Sequence, residues 1–291
     1  MPGLPLLLSQ AFNGLALGSL LALVSSGLTI ILGTLGVLNF AHGAMFMLGA
    51  YAGYVVLAST GSFLLALAVC CLFMLAVGVV VERAVIRLFY HRPHEDQILV
   101  TFGAGILLVE AVRAAFGGNA QRVAVPSWGV GVTRMGFLFY PTYRLELIGM
   151  TALTLLVLYL ILYRTALGLI VRAGIENATM VGILGINVRR TFLLVFALGV
   201  IAAGLAGMLY APIVSVTPDM GEGVLVQSFV VVVIGGLGSF PGAVLGGIIA
   251  GEIVSLTSAF NSAYSEVMLY GAMALVLMVR PQGLFGTAGR V

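Results

Sequence analysis

Few residues in this chain could do covalent chemistry, and their spacing rules most of it out. His94-Glu95 is followed by Asp96, Gln97 and Ile98, so the second histidine of a zinc-binding HExxH helix is missing. Ser25, Ser26 and Ser239 lack the G-x-S-x-G turn that exposes a nucleophile. There are three histidines, and Cys70 and Cys71 sit side by side in an apolar run. No Cys/His spacing makes a metal site, and the cysteines read as small buried hydrophobes. All thirteen basic residues are arginine. A Walker A loop needs a lysine on the nucleotide phosphates, so the sequence excludes ATP hydrolysis by that route. What remains is polarity set in apolar surroundings. Asn39, His42 and Glu252 are isolated, Glu110 precedes Arg113 by three positions, and Arg164, Arg172, Arg189 and Arg190 stand against Glu176 in the stretch 164–190. Groups of this kind dock partners, pair with one another or line a path.

The elements that position them are apolar helices. With 61% hydrophobic and 8% charged residues the chain cannot be a soluble domain, since those carry roughly 25% charge. Its mean hydropathy is +1.19. The net charge of +3 is small and comes from loop arginines, which points to membrane orientation and not to nucleic acid. Predominantly apolar runs of roughly 15 to 27 residues predict spans at 6–32, 35–54, 62–82, 97–116, 145–163, 191–213 and 266–280, with another around Glu252. The first is too long and lacks the basic flank of a signal peptide. Gly14 and Gly18 make a small-xxx-small pair suited to helix contact. Glu110 and Arg113 read as a structural pair near a membrane edge. The run from Val224 to Ile234 is short and stops at Gly235-Gly236-Leu237-Gly238-Ser239, which predicts a broken helix facing protein or a water-filled cavity. A weak internal echo relates 35–49 to 237–246, and paired interruptions of this sort point to a solute site between repeats. The fold class expected is an all-α polytopic membrane protein of about eight or nine spans in one domain, 1–291.

Arginine-rich short loops stay on the cytoplasmic side. That places 164–190 inside, along with the cluster Glu82, Arg83, Arg87, His91, Arg92 and His94 and the C-terminus with Arg280 and Arg290. Within 164–190 a surface helix over 173–184 is predicted, sharing a face between Arg172 and Glu176 and ending at a left-handed Gly185. The segment 117–144 is assigned to the outer face as a loop in which turn residues override strand alternation. Trp128, Tyr140 and Tyr143 are expected in the interfacial belt there. Arg122, Arg134 and Arg144 run against the positive-inside rule and are expected to meet an acidic external protein.

Three stretches carry a family resemblance: Asn39-Phe40-Ala41-His42-Gly43, the run 172–187 (RAGIENATMVGILGIN), and Gly235-Gly236-Leu237-Gly238-Ser239-Phe240-Pro241-Gly242. Together they resemble LivH-type permeases, the membrane subunits of branched-chain amino acid ABC importers. The resemblance implies a cytoplasmic coupling loop docked on an ATPase, with Arg172, Ala173, Glu176, Asn177, Gly185 and Ile186 contacting or shaping the dock. For the solute path it implies Asn39, His42, Gly43, Gly235, Gly236, Gly238, Ser239 and Glu252. Many relatives carry an acid after the first motif; here Ala44 stands there. The implied partners are two ABC ATPase subunits that bind ATP and magnesium, a second LivM-type permease, and an external solute-binding protein. The implied place is a bacterial inner membrane. Permeases for urea and short amides carry similar motifs, and the sequence shows no charged constellation that would take an ammonium and a carboxylate together. The rival reading is an ion-gradient-driven carrier or channel with Glu110 or Glu252 as proton site.

Overall fold

The computed structural model describes residues 3–90, 92–136 and 138–286, without the side chains of Met135 and of 175–179. Ten α-helices are described: α1 Leu4–Leu35, α2 His42–Thr60, α3 Phe63–Ala84, α4 His94–Phe116, α5 Thr142–Arg164, α6 Ala166–Ile183, α7 Val188–Tyr210, α8 Met220–Gly235, α9 Phe240–Ser258 and α10 Ser265–Val279. Eight of them are long and apolar enough to cross a membrane, α6 is not among those eight, and α8 is an apolar helix of 16 residues. This is the all-α polytopic membrane fold that the composition predicts.

The bundle is built around α1. It is uncharged and apolar on every side, the pattern of a helix enclosed by others. Its middle, from Gly18 to Ile31, is buried throughout. Nothing in an apolar solvent drives such helices together by hydrophobicity, so contact depends on close backbone packing. Gly14 and Gly18 supply it: a Cβ on Gly18 would stand 2.8 Å from the Ile248 Cα, and one on Gly14 would stand 2.8 Å from the Glu252 carboxylate. The predicted small-residue contact is therefore an antiparallel α1–α9 seam. α7 covers the opposite side of α1 and packs on α2 and α3.

The bundle has two distinguishable ends. Arg83, Arg87, Arg164, Arg172, Arg189, Arg190 and Arg280 lie at the ends of α3, α5, α6, α7 and α10 that meet at one side, the basic end. At the opposite end the strands β1 Val132–Met135 and β2 Leu138–Pro141 form an antiparallel hairpin, with Val132 opposite Pro141 and Met135 opposite Leu138. α1 starts at this hairpin end, where Asn13 accepts hydrogen bonds from Tyr140 Oη at 3.0 Å and from Arg144. α10 finishes at the basic end, where Leu284 and Phe285 donate backbone hydrogen bonds to Ile234 and Gly235. Counting α8 with the eight long helices, the described chain makes nine strokes, an odd number that puts its two ends on opposite sides.

Four expectations are corrected. The alternation in 117–144 is a real hairpin: Leu138 and Tyr140 point inward, Phe139 outward, and Gly136 at φ 62° takes the left-handed conformation that reverses the chain. Of the expected belt residues only Trp128 is exposed; Tyr140 and Tyr143 are buried, because each hydroxyl finds a partner inside, Tyr143 donating to the Leu209 carbonyl at 2.8 Å. The second span does not run from 35. α1 ends at Gly36 (φ 65°), residues 37–41 are not helical, and α2 begins only at His42, which bonds to Val24 in the middle of α1. Finally, the surface helix starts at Ala166, seven residues before the predicted start, directly after α5 ends at Arg164. His91 and Arg290, expected in the basic clusters, lie outside the described residues.

Candidate functional sites in the bundle

At the basic end, α5 and α6 meet at a sharp corner. Arg172 turns back over it: Nη1 donates to the Leu162 carbonyl at 2.6 Å, and the guanidinium lies 5.7 Å from the centre of the Tyr163 ring. The last carbonyls of a helix have no partner within it, so this arginine satisfies one of α5's. Tyr163 also stacks on Tyr159 at 4.8 Å and lies 6.4 Å from Phe240, the first residue of α9. Arg172, Ala173, Tyr163, Gly238 and Phe240 enclose part of a cavity of about 480 Å³. Beyond α6, Gly185 adopts φ 79°, the left-handed cap the sequence predicts, and Ile186 donates to the Val181 carbonyl at 3.4 Å. α6 is helical through 175–179, but the side chains of Glu176 and Asn177 lie outside the described residues.

The expected path residues divide into separate groups. Asn39 and His42 are completely buried. Asn39 Oδ1 accepts the Ala41 N–H at 3.1 Å, and Thr101 of α4 accepts the Phe40 N–H at 3.1 Å, which fixes the non-helical segment ahead of α2. His42 Nε2 stands 3.0 Å from the Val24 carbonyl. A carbonyl can only accept, so Nε2 carries the proton. Gly43 presses against Gly221 at the start of α8, and a Cβ on Gly43 would fall 2.9 Å from Leu225 Cβ. The second group, Gly235 to Ser239, sits at the far end of α8. Gly236 (φ 103°) and Gly238 (φ 77°) carry the break, and Ser239 caps α9 by accepting the Gly242 N–H at 3.2 Å. α8 separates the two groups by roughly 22 Å at 1.5 Å per residue. Glu252 belongs to neither; it lies against Gly14 in the α1–α9 seam.

The sequence did not single out what the first group borders. α2, α4 and the start of α8 surround a cavity of about 300 Å³ lined by Gly43, Ala44, Gly105, Gly221 and the apolar Phe40, Phe102, Ile106, Val109 and Leu225. Glu110, Arg113, Asp219 and Glu222 line it as well. Arg113 bonds Glu110 at 2.9 Å, as expected, and also Asp219 at 2.5 Å. One cation thus pairs with two carboxylates, and a third, Glu222, lines the same partly apolar cavity. The signal available in the sequence was Thr217-Pro-Asp-Met-Gly-Glu222 following a span, but nothing local tied it to α4. Among the described residues there is no group of three or more His, Cys, Asp or Glu placed to hold a metal ion.

Residues 10–278 match the family described as the branched-chain amino acid transport system permease component. The chain belongs to this family. It is 32% identical to the high-affinity branched-chain amino acid transport system permease protein LivH of Escherichia coli (strain K12), over 96% of this chain and 95% of the relative. It is 31% identical to the permease protein BraD of Pseudomonas aeruginosa, over 98% of each chain. The LivM permease protein of Escherichia coli is 29% identical over 89% of this permease and 66% of its own length. The resemblance read from the three motifs is the family the whole chain matches, and the multi-pass membrane character follows from both the matches and the eight apolar helices.

Proposed function

We propose that this permease is the membrane subunit of an ATP-driven importer that carries branched-chain amino acids across a bacterial inner membrane, with its basic end in the cytoplasm. The observation that carries the reading is the cavity between α2, α4 and α8. Charged groups within a span stand where they face a water-filled cavity or another protein, because lipid does not solvate them. Here one arginine and three carboxylates occupy the rim, where an ammonium and a carboxylate find partners of opposite sign, and the wall below is apolar, where an aliphatic side chain fits. α6 is the arm that meets the ATPase; two such subunits hold ATP and magnesium, which this lysine-free chain does not bind by a Walker loop. A LivM-type second permease completes the membrane part, and an external binding protein delivers the solute to the hairpin end. Closing of the ATPases moves α6, and the corner at Arg172 passes that movement to α5 and the start of α9.

The test is reconstitution. Co-purified with its ATPase subunits and second permease and placed in liposomes with the binding protein outside, the assembly is expected to accumulate leucine, isoleucine or valine only with ATP at the ATPase side. Uptake driven by a proton gradient without ATP would replace the reading with the gradient-driven carrier. ATP-dependent uptake of urea or a short amide in place of these amino acids would keep the engine and change the cargo.

A further inference from the structure

A second charged cavity lies at the basic end, away from both sites above. It measures about 550 Å³ and opens between the last turn of α3, which carries Arg83, with Arg87 just beyond it, and the start of α7, with its cap Asn187 and then Arg189, Arg190, Leu193 and Leu194. Arg87 is held by Glu82, 2.9 Å away. Among the described residues no carboxylate stands within ion-pair distance of Arg83, Arg189 or Arg190. Three exposed guanidinium groups therefore converge on one cavity without an ion-pair partner among the described residues.

What lies beneath them selects the occupant. α3 runs toward the basic end, so Val80, three residues before Arg83, is on the same face and about one turn deeper. α7 runs away from it, so Leu194, four residues after Arg190, is likewise about one turn deeper. Both are exposed, Val80 at 63% and Leu194 at 44%. An acidic protein surface would leave this apolar strip uncovered. A lipid covers both levels, with its phosphate among the forked arginine donors and its acyl chains along Val80 and Leu194.

We propose that the α3–α7 cavity binds the phosphate of an anionic inner-leaflet phospholipid, which supplies the counter-charge for Arg83, Arg189 and Arg190. The bound lipid ties the end of α3 to the start of α7, one turn of chain away from Gly185 and the α6 arm.

The full-length permease, delipidated in a neutral detergent, is titrated with phosphatidylglycerol or phosphatidylcholine and followed by native mass spectrometry and by melting temperature. Phosphatidylglycerol is expected to bind and raise the melting temperature, with phosphatidylcholine far weaker. In R83Q/R189Q/R190Q its affinity is expected to fall by about a hundred-fold, taking roughly five-fold per arginine near a membrane surface. Leu194→Glu, which keeps all the arginines, is expected to lose the lipid as well, and serves should the triple variant not fold. Three results would overturn the proposal. One is an unchanged preference for phosphatidylglycerol in both variants. Another is millimolar inorganic phosphate stabilising the protein as strongly as the lipid, which would mark a free-anion site. The third is a triple variant that still binds the lipid but no longer co-purifies with the ATPase, which would make the arginines part of the dock.

Discussion

Arg113 on α4 bonds Asp219, 106 positions later in the chain, at 2.5 Å across the mouth of the α2–α4–α8 cavity. Both side chains are about half exposed, so the pair contributes at most ~1 kcal/mol to stability. Its removal is expected to act on transport instead. Arg113→Gln should leave the melting temperature within a degree or two and lower ATP-dependent uptake roughly ten-fold, within the range of ordinary coupling energies. The exchange Arg113→Asp with Asp219→Arg restores the pair and should recover most of the uptake. A large loss of folded protein in either single variant would show the pair to be structural.

At the α5–α6 corner, Arg172→Ala removes a charged hydrogen bond to the Leu162 carbonyl and the stack on Tyr163. Because the arginine is exposed, the cost in stability is small, at the low end of about 1–3 kcal/mol. The ATPase subunits should still assemble and hydrolyse ATP, while solute-stimulated hydrolysis and uptake both fall. Measuring basal and stimulated ATPase rates on the same preparation separates the two roles: a variant that no longer co-purifies with the ATPase would make Arg172 a docking contact, as the sequence first implies.

The α1–α9 seam can be tested on stability alone. Gly18→Leu forces a side chain into backbone that is already in contact and should cost about 1–3 kcal/mol, seen as a lower melting temperature in detergent. Gly103→Ala makes the contrast. A Cβ there meets nothing within 4 Å, and α4 should gain up to about 1 kcal/mol from the better helix former. Equal effects from the two substitutions would contradict the seam.

Glu82 is fully buried and receives Arg87 Nη2 at 2.9 Å and Tyr90 Oη at 2.9 Å. Burial first, and then the hydrogen bond to Glu82, push the Tyr90 phenol well above its ordinary value. The sign follows directly. In the unfolded chain this phenol ionises near its ordinary value while in the fold it stays protonated, so its contribution is intact below about pH 10 and is lost as pH rises beyond it. Melting curves between pH 9 and about 11 should therefore steepen their decline in the wild type relative to Tyr90→Phe. Parallel curves would remove Tyr90 from the account.

Much of this protein is written locally. Apolar runs mark the spans, arginines mark the basic end, and Gly235 to Ser239 announces the break between α8 and α9, because hydropathy and backbone freedom act over a few residues. The late start of α2 was not legible: residues 36–41 are largely apolar, and the bonds that hold them open, from His42 to Val24 and between Thr101 and the Leu38–Phe40 backbone, reach across to other helices. The same holds for Tyr140, whose side of the hairpin depends on Asn13 far away in sequence.

The sequence by itself therefore determined the solvent, the number of strokes to within one, and the end at which the arginines gather. The tertiary structure alone decided which small residues touch, where Arg172 points, and that α4 and α8 bring Glu110, Arg113, Asp219 and Glu222 around one cavity. The physical reason is that with 39 glycines the chain offers many possible close contacts of similar local character. Which of them form is settled by the simultaneous packing of all the helices, a property no single stretch carries.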